Sequence, residues 1–139
     1  MSRPWFEKYV GLPFVDGGRD WPGVDCWGLV RLAFKTEHKI ELPTYGDIPA
    51  SELIRIAYKV AEETAKEPWH PVDKPQMFDM AVMYRKHAPI HVGLMVDHRV
   101  LHIERATSAV LVPMSHQTVL FRNLKFFRHT EMMSVESAR

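Results

Sequence analysis

The chain is poor in several things that would otherwise dictate its shape or its partners. One cysteine, Cys26, stands among 139 residues, so no internal disulfide braces the fold. No apolar run approaches the length needed to cross a bilayer, and membrane insertion is not expected. The opening residues MSRPWFEKYV lack the apolar core of a signal peptide, so the expectation is synthesis in the cytoplasm without an export signal. Charge of one sign is also missing. Eighteen Lys and Arg against 17 Asp and Glu leave a net +1 with no basic stretch, and nucleic acid is not an expected partner. Internal repeats and low-complexity tracts are absent. What is left, 46% hydrophobic and 25% charged, is the composition of one globular domain. It is placed at residues 1–129, followed by a polar C-terminal tail at 130–139.

Periodicity divides the domain. Residues 4–10 suit a short amphipathic helix, and a turn-rich segment runs from Gly11 to Gly23. A helix is predicted from about Asp25 to Glu37, with Asp25 as its N-cap and Leu29, Val30, Ala33 and Phe34 on its apolar face. A second is predicted over 50–66, ended by Pro68, Pro71 and Pro75. Short β-runs follow at 80–85, 90–96, 99–104, 108–114 and 119–127, with Asp97-His98 as a two-residue turn. Helices first and an antiparallel sheet afterwards make an α+β arrangement.

Cys26 opens the first helix, where free N–H groups and the helix dipole favour a thiolate and lower a cysteine's pKa below about 8.5. A small buried core cysteine is the other reading of a lone Cys. A nucleophilic thiol needs a base and a group that orients the base. Strand alternation puts His91, Gly93 and Met95 on one face. With Asp97-His98 as the turn, Gly93 faces His102, and His91 lies diagonal to His102 at roughly 7–8 Å. Gly93 would leave open space beside His102. A helix bearing Cys26 packed on that face would complete a Cys–His–His set; a half-polar sheet surface is the alternative. His38, His70, His87, His98, His116 and His129 fall in turns, loops or at element ends, where solvation is expected. Cys26, His91, His102 and Asp79 are all possible zinc ligands, but the paired short spacings of zinc sites are missing. No metal and no cofactor is expected.

Five segments then resemble a known family. Tyr9-Val10-Gly11-Leu12-Pro13-Phe14, Gly17-Gly18 and Asp25-Cys26-Trp27-Gly28-Leu29-Val30 are similar to the N-terminal half of the NlpC-type cell-wall peptidases. His91-Val92-Gly93-Leu94 with Val100-Leu101-His102 is similar to their C-terminal half. Trp27 after the cysteine, and Leu42-Pro43-Thr44-Tyr45 after the helix, resemble the phage tail-assembly members most. The resemblance implies a papain-like α+β fold, with N-terminal helices packed on a mainly antiparallel sheet of five or six strands. It implies a cysteine peptidase cutting peptidoglycan stem peptides between γ-D-glutamate and a diamino acid. Cys26 would be the nucleophile, His91 the general base and His102 the group that orients His91; Asp25, Phe14 and Trp27 would contact substrate. Phe14 stands where a tyrosine is common, and Phe78-Asp79 where Gly-Asp is common.

The missing export signal suggests a virion tail tip as the place of action, with other tail-tip proteins as partners. A structural tail component with little hydrolase activity and a cytosolic enzyme recycling muropeptides are the other readings. Phe121, Phe126 and Phe127, interleaved with Arg122, Lys125 and Arg128, are either a last core strand or a docking surface for such a partner.

Overall fold

The computed structural model describes residues 3–46, 53–105, 107–116 and 123–137. After a 3-10 turn at Trp5–Lys8 come two short paired strands, β1 (Arg19–Asp20) and β2 (Gly23–Val24), and helix α1 (Cys26–His38). Helix α2 (Leu53–Glu63) follows, then β3 (Trp69–Val72), β4 (Met80–Arg85), β5 (Ala88–Val96), β6 (Arg99–His102), β7 (Val110–Pro113) and β8 (Asn123–His129). The chain ends in helix α3 (Thr130–Ser137). Strands β3 to β8 form one antiparallel sheet in the order β3-β8-β4-β5-β6-β7. None of the described helices is long and apolar enough to cross a membrane.

The apolar face of α1 read from the sequence is buried. Leu29, Val30, Ala33 and Phe34 of α1, with Ile56 and Val60 of α2, join Val82, Val92, Leu94 and Val96 in the main core. A smaller cluster, Ala81, Met83, Met95 and Val100, lies on the other face of the same strands. The two-residue turn at Asp97-His98 sets Val96 opposite Arg99 and Leu94 opposite Leu101, the register the sequence predicts.

Several expectations change. The β3 strand is absent from the sequence reading because Pro68 and Pro71 read as breakers; Pro71 sits on an edge strand, which proline tolerates. Thr130 does not begin a polar tail. Its N–H and hydroxyl both donate to the Pro68 carbonyl, a helix starts there, and Met132 packs into the main core. The Phe126–Arg128 stretch lies in a strand between β3 and β4, with Phe127 buried and Arg128 ion-paired to Asp79, while Phe126 is half-buried and Lys125 exposed. Phe121 and Arg122 lie outside the described residues. His129 is not solvated; it is buried between Trp69 and Phe34.

The entry into β4 is held by a buried carboxylate. Asp79 accepts both Nε and Nη2 of Arg128 at 2.8 Å and the Gln76 N–H at 2.7 Å. Beside it Phe78 adopts φ 73°, in the left-handed region that favours glycine. Its ring is buried among Trp5, Phe34 and His38, and that packing offsets a backbone cost of about 1–2 kcal/mol. Asp79→Ala should destabilise the protein by about 3–5 kcal/mol, because it strands the Arg128 guanidinium among buried groups. Urea unfolding would measure this, and a loss under about 1 kcal/mol would show that the pair is not what anchors β4.

Candidate active site

Helix α1 begins at Cys26 because Asp25 caps it. Its Oδ1 accepts the Gly28 N–H at 2.8 Å, and its Oδ2 takes the Arg19 guanidinium. Arg19 in turn donates to the carbonyls of Thr44 (2.7 Å) and Gly18 (3.2 Å), tying the helix start to both flanking segments. Glycine is required at position 28, since a Cβ there would lie 2.0 Å from the Gly18 oxygen. The Asp25 carboxylate is fully buried with both oxygens engaged. It caps the helix and leaves no exposed oxygen for the substrate contact the sequence suggested.

Trp27 is likewise interior. It is 1% exposed, its indole N–H donates to the Pro43 carbonyl at 2.7 Å, and its ring packs on Tyr45 at 5.2 Å. The indole fastens the 42–45 segment to α1. Of the three residues expected at substrate, Phe14 alone keeps exposed surface; it bridges to Val24 and lies under the Arg105 guanidinium at 5.7 Å.

The Cys26 thiol departs from its sequence expectation. Burial, reinforced by the neighbouring Asp25 carboxylate, pushes it up from 9.0 to about 12. The N–H groups of Val92 and Trp27 and the charge of Arg19 pull the other way and are outweighed. A helix N-terminus lowers a thiol's pKa when water or a cation reaches the sulfur; here packing removes the water. The sulfur is therefore a neutral thiol at neutral pH, and any reaction at it would need a base to take its proton. The sign fixes a stability prediction. A group that is harder to ionise when folded favours the native state below its unfolded pKa, and that contribution is lost as pH rises from about 9 toward about 12. Heating wild type and Cys26→Ala at pH 7 and pH 10.5 should show the wild type losing more stability at the higher pH. Equal losses would mean the sulfur is accessible to solvent.

The Val92 N–H that reaches Cys26 belongs to the residue next to His91. Strands β5 and β6 pair only over Leu94–Val96 and Arg99–Leu101, so the ladder is open at Val92, whose N–H reaches the sulfur. This resolves a conflict of faces. Helix α1 packs on Val92, Leu94 and Val96, whereas His91 shares its face with Met83 and Met95 on the other side of the sheet. The sequence reading placed helix and histidines on one face. In the structure, Cys26 reaches the strand from the helix side, at the open end of the ladder.

A bulge helps to aim His91. Met83 pairs with His91 and Tyr84 with Pro89, which leaves Ile90 as the extra residue immediately before it. His91 and His102 then meet, with His91 Nε2 and His102 Nδ1 3.0 Å apart and the rings edge to face at 5.2 Å. Both are buried, at 7% and 3% exposure. The pair has its proton on one nitrogen or the other; with His91 Nε2–H donating to His102 Nδ1, His91 Nδ1 is left as an acceptor. Gly93 leaves no open space beside them. A Cβ there would sit 3.2 Å from His102 Cβ and 2.8 Å from Val100 Cγ1, so the glycine permits close approach of β5 and β6. Glu104, which the register carries opposite His91, completes a group: its carboxylate and the two imidazoles offer ligand atoms all within 4.8 Å of one another.

A helix that opens on a buried cysteine, packed on a six-stranded antiparallel sheet that carries a hydrogen-bonded histidine pair, defines an α+β protein. The NlpC/P60 family profile matches residues 11–136, and the chain belongs to that family of peptidoglycan hydrolases. Among solved structures, the NlpC/p60 domain of the peptidoglycan hydrolase SagA shares the fold, with TM-score 0.57 and 16% identity over 86% of this chain and 89% of that one. No curated protein sequence matches the chain.

Proposed function

We propose that the chain is a cysteine peptidase that cuts peptidoglycan stem peptides at the γ-D-glutamyl–diamino acid bond. The observation that carries this reading is the 3.0 Å His91–His102 hydrogen bond set beside the buried Cys26 at an opening in the sheet. In this reading His91 takes the thiol proton as sulfur attacks the peptide carbonyl carbon. The Cys26 N–H at the helix start donates to the developing oxyanion. The amine leaves with the proton from His91, and water then cleaves the thioester, returning the thiol. His102 holds the His91 ring and its tautomer throughout. The raised thiol pKa makes the base essential, because almost no thiolate exists beforehand at neutral pH.

The site of action in this reading is a phage tail tip, with other tail-tip proteins as partners. Support comes from the two segments that carry the tail-assembly resemblance. Trp27 and the 42–45 segment touch one another through the indole–Pro43 hydrogen bond and the Tyr45 ring, so they form one structural feature. Incubation with the synthetic tripeptide L-Ala–γ-D-Glu–diaminopimelate should release L-Ala–D-Glu and free diaminopimelate. Cleavage only at another bond would reject the assigned specificity. Immunoblotting of purified particles should find the protein in virions, and its absence there would reject the tail assignment.

A further inference from the structure

Two imidazoles and a carboxylate close together are a donor set suited to zinc and its neighbours in the first transition row. His91, His102 and Glu104 supply that set, with all three ligand atoms inside 4.8 Å. Around a tetrahedral ion with bonds of about 2.0–2.1 Å, ligand atoms stand roughly 3.3 Å apart. The His91 Nε2–His102 Nδ1 separation of 3.0 Å is already close to that. Glu104 sits just past the end of β6 and is half-buried.

We propose that a divalent transition-metal ion, with Zn²⁺ as the type, binds His91, His102 and Glu104 and reversibly blocks the site. The blocking follows from proton bookkeeping on one ring. A neutral imidazole that gives its Nε2 lone pair to a metal carries its proton on Nδ1. The proton His91 holds on Nε2 in the hydrogen bond to His102 therefore moves to Nδ1, and no proton is released. Nδ1 then has no lone pair with which to take the thiol proton. The ion also uses the His102 nitrogen that orients His91. This consequence rests on the peptidase reading; the binding site itself does not.

The test keeps the two separable. Chelated full-length protein is titrated with Zn²⁺ by calorimetry and with Co²⁺ by visible absorption, and stem-peptide hydrolysis is followed in parallel. One equivalent should bind, Co²⁺ should show the intense band of a four-coordinate ion, and hydrolysis should fall with occupancy and return on adding EDTA. Glu104→Gln and His102→Gln, checked for native circular dichroism, should each weaken binding by about tenfold or more. Cys26→Ala should bind as wild type does, since the thiol is not a ligand. Lack of saturable binding, undiminished affinity in both Glu104→Gln and His102→Gln, or full activity in the metal-saturated enzyme would overturn the proposal. Chelated protein that binds metal through Glu104 yet hydrolyses nothing would leave the site standing and count against the peptidase reading.

Discussion

His91→Ala is expected to lower kcat/KM for stem-peptide cleavage by about 10³–10⁴-fold. The size follows from the state of the thiol. Burial raises Cys26 to about 12, so at pH 7 spontaneous ionisation supplies only a minute fraction of thiolate, and in the proposed mechanism the imidazole takes the proton during attack. His102→Ala should cost less, about 10–100-fold, because it removes the group that positions His91 and leaves the base in place. His102→Asn or His102→Gln should recover part of the loss, since either amide can hydrogen-bond the His91 nitrogen now 3.0 Å from His102. The loss at His102 should fall mainly on kcat. Full activity in both alanine variants would show that the pair does not serve the reaction.

Cys26→Ala is expected to abolish hydrolysis while leaving a folded protein. The change deletes one sulfur from a position that Asp25, Gly28 and Arg19 already fix through backbone and cap contacts. The cavity left is small, and the stability cost should stay below about 2 kcal/mol. Circular dichroism and thermal melting at pH 7 would verify the fold, and hydrolysis of the tripeptide the chemistry. Retained turnover would remove the thiol from the mechanism altogether.

Much of this site can be read from local patterns. Asp25 before an apolar 3.6-period run announces the start of α1, and the structure places Cys26 at its first residue. The turn at Asp97-His98 fixes a register in which Leu94 faces Leu101, and that register brings His91 to His102. Period-two alternation is enough for such an inference because one residue of slip would reverse every side chain. What fails to show is whatever depends on packing from far along the chain. The dipole argument for a low thiol pKa is sound locally, but desolvation by the core, invisible in the stretch 23–30, decides the sign. Trp27 looks like a cleft residue in sequence, and only Pro43 and Tyr45 reveal it as interior.

The same limit explains the remaining differences. Pro68 and Pro71 signal an end to regular structure, yet Pro71 is accommodated opposite Phe127 on an edge strand. Thr130 to Ser137 carries too few large apolar residues to predict packing, and the buried Met132 side chain, with the Thr130–Pro68 contacts, docks the helix. The open ladder at Val92, where a thiol from the helix side meets the Val92 N–H, has no signature in alternation at all.

Digestion of purified sacculi, followed by mass spectrometry of the soluble products, tests the central claim most directly. Wild-type protein should release fragments with a new free amino group on the diamino acid, and Cys26→Ala should release none. Intact sacculi after prolonged incubation with folded wild-type protein, freed of metal by chelation, would contradict the account.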